Sequence, residues 1–135
     1  MFYERNKIVS KKMLFIGGVL NAVFTLFHIW LGWKIQSFAG LPDGYRPLMT
    51  MLNFGGILLI GFITFASFFC VEELISTRLG KAVIILTFLV YFSRAIEEVL
   101  IAPQFSVLIF ISCLIVAAVY ALAFAGLKKP VKNKK

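Results

Sequence analysis

Charge is scarce in this sequence, and acid is scarcer still. Of 135 residues 15% are charged, with 6 Asp and Glu against 14 Lys and Arg, and a single His. A soluble domain is roughly 45–50% apolar and about 25% charged, whereas here 61% of residues are hydrophobic and the mean hydropathy is +0.95. That excludes an ordinary water-soluble globule. With His28 alone, a bis-histidine haem cannot be held within one chain, and the HExxH pattern of zinc hydrolysis is missing. The two cysteines, Cys70 and Cys113, lie inside apolar runs with no CxxC pairing. They signal neither a redox pair nor a zinc site and read as small packing residues. A disulfide-exchange enzyme needs paired thiols, and these two are expected at different depths. No cofactor is signalled.

What the chain has in abundance is long apolar runs, with 15 Phe concentrated in them. Four runs, at 13–33, 48–71, 81–100 and 104–126, are long enough to cross about 30 Å of hydrocarbon, which takes about 20 helical residues. The first is too long for a signal peptide and lacks a small-residue cleavage site, so it reads as a retained span. The expected fold is all-α: an integral membrane antiparallel four-helix bundle, residues 13–126, between a basic segment at 1–12 and a basic tail at 127–135. Pro42-Asp43-Gly44 signals a turn in the longest loop, 34–47, with Pro presetting φ and Gly accepting a positive one. Ser76 or Thr77 is placed to cap the third span, and Ala102-Pro103 marks a tight hairpin before the fourth.

The net charge of +8 is distributed as a topology signal. Arg5, Lys7, Lys11 and Lys12 precede the first span, Arg78 and Lys81 mark the second loop, and Lys128, Lys129, Lys132, Lys134 and Lys135 crowd the tail. These 11 face only Lys34 and Arg46 on the other side, a positive-inside bias that predicts both termini in the cytoplasm. Such a bias argues against a dual-topology transporter. The basic ends are expected to meet anionic lipid head groups. No basic patch is interleaved with stacking aromatics, so nucleic acid is not an expected partner. Trp30, Trp33 and Tyr45 fall where aromatic side chains anchor at the outer interface. The lysine-rich ends suit a bacterial inner membrane.

Helical spacing gathers polar and small residues into one stripe per span. The stripes are Gly17, Asn21, Thr25, His28 and Gly32 in span one, and Asn53, Gly56, Thr64 and Ser67 in span two. Span three has Gly80, Thr87, Tyr91, Arg94 and Glu98, and span four has Ser106, Cys113, Ala117 and Tyr120. These faces are expected to meet neighbouring helices, with Asn21, Thr25, Thr64 and Ser67 as interhelical hydrogen-bonding groups.

Arg94, Glu97 and Glu98 stand apart, because each ionised side chain at a helix centre costs about 2.5–3.5 kcal/mol. Arg94 can pair with Glu98 at i,i+4. At about 1.5 Å per residue, His28, Asn53, Arg94 and Glu97 all stand about 20–24 Å above the inner boundary. Glu98 lies slightly outward and is expected to snorkel to the surface, and Ser106 is placed to close the ring. One Arg and two ionised glutamates leave one negative charge. A protonated His28, a protonated glutamate or a bound cation would offset it, since an unpaired buried charge is costly. His28, Asn53, Arg94, Glu97 and Glu98 are thus the candidate ligand-binding residues, and the alternative is an Arg–Glu–His network that only fixes helix register. The loop at 34–47 lies over this level, either as a lid or as a plain connector.

Two functions fit the pattern best. One is a binding or accessory membrane protein for a small or lipidic ligand, acting alone, as a homo-oligomer or in a larger membrane complex. The other is an intramembrane enzyme acting on a lipid, isoprenoid or quinone. In it His28 and Glu97 are candidate catalytic acid/base partners, and Arg94 and Asn53 stabilise negative charge. A small proton-coupled carrier or channel with Glu97 and His28 as relay is a third. Glu97-Glu98 is similar to the double glutamate of some intramembrane proteases, but the accompanying Arg and later His are missing. Small multidrug exporters carry an essential acid in the first span, where this chain has His28 and no acid. In size and span count alone the chain resembles small four-span bacterial membrane proteins, DoxX-like ones among them.

Overall fold

A computed structural model describes residues 2–42 and 44–127, with side chains described from Asn6 onward. The described chain is all helix: α1 (Phe2–Ser37), α2 (Tyr45–Phe69), α3 (Val71–Ser76), α4 (Arg78–Leu100) and α5 (Val107–Ala125). Four of these are long and apolar enough to cross a membrane, and they coincide with the four expected runs. The basic N-terminal stretch is no separate segment in backbone terms, since α1 runs 36 residues from Phe2 without a break. The basic tail from Lys128 lies outside the described residues, as does Asp43 of the expected turn.

The connections differ from expectation in two places. Gly44 does not take a positive φ: it sits at φ −69°, ψ −25° as the N-cap of α2. The turn is closed instead by the Tyr45 N–H donating to the Pro42 carbonyl at 3.0 Å. Between α2 and α4, where a loop was expected, the chain breaks at Cys70 and forms the short helix α3. Its Leu74 and Ile75 are buried, while Glu72 and Glu73 occupy the first turn, where the helix dipole favours acid. Thr77 then caps α4 as expected, its hydroxyl accepting the Gly80 N–H at 2.8 Å.

Packing follows the small residues. Two adjacent glycines let α1 lie close to two partners at once. A Cβ on Gly17 would stand 2.7 Å from the Tyr120 ring of α5, and one on Gly18 would stand 3.1 Å from Ser67 of α2. On the same face of α5 as Tyr120, Cys113, Val116, Ala117 and Ala123 are buried with Leu14, Ile63, Ala66 and Ile84 in one core. Further along, the buried Ser10 hydroxyl donates to the Ala123 carbonyl at 2.9 Å, tying the start of α1 to the end of α5. The long helices thus pack in the order α2, α1, α5, α4, and among the described residues no packed interface joins α2 to α4. The gap between those two helices is where the site lies.

Candidate functional site

His28 on α1 and Asn53 on α2 meet as their depths predict. The Asn53 amide donates from Nδ2 to the His28 carbonyl at 2.9 Å, which turns its Oδ1 to the imidazole, 2.9 Å from Nδ1. A carbonyl oxygen only accepts, so Nδ1 carries a proton and donates it, while Nε2 has no hydrogen bond among the described residues. Gly56, one turn along α2, borders the ring: a Cβ there would stand in van der Waals contact, 3.4 Å from Nδ1 and Cε1. Gly32 leaves room for Asn53, since a Cβ on it would fall 2.9 Å from Nδ2.

On α4, Arg94 pairs with Glu98 at 2.9 Å. The expectation that Glu98 snorkels outward is wrong, for the residue is only 2% exposed. Its Oε1 accepts the Ser106 N–H at 2.9 Å, so a free backbone donor at the start of α5 and the Arg94 guanidinium together hold the carboxylate inside. Ser106 thus meets the cluster through its backbone N–H and not through its side chain. It is the N-cap of α5, its hydroxyl accepting the Ile109 N–H at 3.4 Å. Glu97 is exposed, and its carboxylate has no hydrogen bond or ion pair among the described residues.

His28, Arg94 and Glu97 line one cavity of about 480 Å³ between α2 and α4, within the roughly 300–1,000 Å³ usual for ligand clefts. Its walls are otherwise mainly apolar. Phe24, Phe27 and Leu31 come from α1, Leu59 and Ile60 from α2, Val90 and Tyr91 from α4, and Ile109 and Cys113 from α5. Asn53 and Glu98 do not line it. They stand behind it, each fixing a residue that does: Asn53 orients His28, and Glu98 holds Arg94.

Deeper in the bundle lies a polar group that the stripes had indicated only one residue at a time. Tyr91 donates to Asn21 Oδ1 at 2.6 Å. Asn21 Nδ2 in turn donates to the Tyr120 hydroxyl at 2.9 Å and to the Gly17 carbonyl at 2.8 Å. The Tyr120 hydroxyl lies 2.7 Å from Ser67 Oγ. One side chain from each of α1, α2, α4 and α5 therefore joins a single buried network, so its polar atoms are satisfied where an orphan would be costly. Thr25 and Thr64, expected to bond across helices, instead return to the carbonyls of Asn21 and Ile60 on their own helices. Among the described residues no group of three or more His, Cys, Asp or Glu is placed to hold a metal ion, and both cysteines are free. A scan against known family models, a search of curated proteins and a search of solved structures each found no match to this chain.

Proposed function

We propose that this chain is an integral membrane protein of four antiparallel spans with both termini cytoplasmic, in a bacterial inner membrane, and that it binds a small amphiphilic molecule in the cleft between α2 and α4. The helix lengths support insertion, and the 11-to-2 distribution of Lys and Arg across the connections supports the orientation. In that orientation the cleft stands in the outer half of the bilayer. The observation that carries the binding role is an apolar cavity with His28, Arg94 and Glu97 at its wall, opening where two helices fail to pack. Ligand sites combine an apolar lining with a few convergent polar groups in this way, and ionisable residues within spans are functional candidates by default. An amphiphile enters such a cleft sideways from the bilayer, its chain against Phe24, Leu59 and Val90 and its head at Glu97.

Native mass spectrometry after gentle extraction tests this, comparing wild type with Glu97→Gln and with Gly56→Leu, which fills the cleft. Co-purifying lipid, quinone or other small molecule in wild type, reduced in both variants at unchanged folding, supports binding. Equal occupancy in all three samples would place any bound molecule elsewhere. Ligand-free protein held to another subunit would point to an accessory role.

One arrangement favours the enzyme reading as a second. An imidazole oriented through Nδ1, on the wall of the same cavity as the Glu97 carboxylate, supplies the two groups that a general base and its acid partner require. Asn53, occupied with His28, would then be a positioning residue instead of a stabiliser of negative charge. Turnover of an added isoprenoid or quinone, lost in His28→Ala, separates this reading from simple binding.

A further inference from the structure

The charge balance of the cleft wall assigns a class of head group, an inference that rests on the amphiphile reading above. Arg94 is already matched by Glu98 at 2.9 Å, and the second Glu98 oxygen is taken by the Ser106 N–H. Glu97, also on the wall, has no cation within ion-pair distance among the described residues. His28 also lines the wall, with its Nδ1 committed to Asn53. The Ser93 hydroxyl is turned back to the Val90 carbonyl at 3.0 Å. The polar wall therefore holds one unmatched negative charge, that of Glu97, beside the Arg94 donors that Glu98 leaves free.

The aromatic lining points the same way independently. Phe24, Phe27 and Tyr91 face the same cavity, and aromatic ring faces attract organic cations, most strongly where water is excluded. The Tyr91 hydroxyl is committed to Asn21, so that residue has no free donor for an anion. An anionic head group would add to a wall that is already negative, since Glu98 balances the charge of Arg94 and nothing among the described residues balances Glu97. A neutral alcohol would leave Glu97 without a counter-charge.

We infer that the cleft takes an amphiphile bearing a protonated amine, with the ammonium paired to the Glu97 carboxylate on the Phe27 side of the cleft. The chain of the ligand lies along Leu59, Ile60 and Val90. Two sources share this chemistry: an aminophospholipid of the bilayer and a free lipophilic amine.

The full-length protein in neutral detergent, offered dodecylamine, lauric acid and dodecanol in turn, tests the assignment through the bound molecules counted by native mass spectrometry. Dodecylamine should be retained about tenfold better than the other two, as a charge-assisted hydrogen bond predicts. Glu97→Gln should remove that advantage, whereas Glu73→Gln, at an exposed carboxylate on α3, should keep it. A parallel comparison of phosphatidylethanolamine with phosphatidylglycerol identifies the source. Retention of the former assigns a bilayer lipid, and retention of dodecylamine alone assigns a free amine. An amine preference unchanged in Glu97→Gln overturns the assignment. A preference for lauric acid or dodecanol, abolished by Gly56→Leu or by a second cleft-filling variant, Leu59→Trp, overturns it while leaving the cleft as a binding site. If no probe is retained, both readings fall.

Discussion

Asn53 commits both ends of its amide to His28, donating to the carbonyl and accepting from the ring. Asn53→Leu removes both bonds, and interhelical hydrogen bonds in membranes average about 0.6 kcal/mol with a maximum near 1.7. The expected loss is about 1–2 kcal/mol in thermal or denaturant unfolding in detergent, by the same averages. Asn21 makes a stronger comparison because it serves Tyr91, Tyr120 and the Gly17 carbonyl together. Asn21→Leu should cost about 2–3 kcal/mol and Tyr91→Phe about 1 kcal/mol. The reverse order would mean that Asn21 is not the centre of the network. The pairing of His28 with Asn53 was legible in the sequence because both depths can be counted from span ends at a constant rise. The place of Glu98 was not. Its burial depends on the Ser106 N–H, which the hairpin brings back over the end of α4, and hydropathy carries no trace of such a backbone donor. Partner choice within the Asn21 network was equally hidden, since stripe positions say which face turns inward but not which hydroxyl meets which amide.

Short elements show where local packing overrules the apolar pattern. The four long helices were legible because about 20 apolar residues in a row leave few alternatives. Two features were not. The basic start of α1 carries no apolar signal, yet helix propagation is easy once a nucleus exists. The six-residue α3 is too short for any period to be read. Gly80 shows how tightly α3 sits on α4: a Cβ there would collide with the Glu73 carbonyl oxygen and with Leu74 Cα, both backbone atoms. Gly80→Ala should therefore destabilise by about 1–3 kcal/mol through forced displacement of α3. In Gly61→Ala the Cβ meets nothing within 4 Å, so it should be neutral or stabilising by up to about 1 kcal/mol through helix propensity. Melting curves of the two variants side by side check the contrast. α3 is also tied to α1 by charge, as Glu72 accepts from Lys11 and lies 3.6 Å from Lys7. The Lys11 hydrogen bond holds the Glu72 carboxyl below its ordinary value of 4.5. A carboxyl lowered on folding contributes stability above its unfolded pKa and loses it as pH falls through the folded one. Wild type should thus lose melting temperature on acidification below that range, and Glu72→Gln should flatten this part of the profile. The effect should be small, since the pair is exposed.

Across the whole molecule, the order α2, α1, α5, α4 leaves one side of the bundle unsealed, and that opening was the part least legible beforehand. Span lengths and stripes predict that four helices pack, but not which pair fails to meet. Orientation is testable in intact cells. A membrane-impermeant maleimide should label Gly40→Cys, between α1 and α2, from outside, and should reach Arg78→Cys, between α3 and α4, only after lysis. The opposite pattern would turn the cleft towards the cytoplasmic leaflet. Photo-crosslinking shows whether the unsealed side holds an amphiphile. A long-chain amine carrying a diazirine in its tail would be added to membranes containing the protein, and the modified residues mapped by mass spectrometry. Adducts should concentrate on Leu59, Ile60 and Val90 and be lost in Gly56→Leu. Adducts spread evenly over outward-facing residues such as Phe54, Phe62 and Leu108, and unchanged in that variant, would contradict binding there.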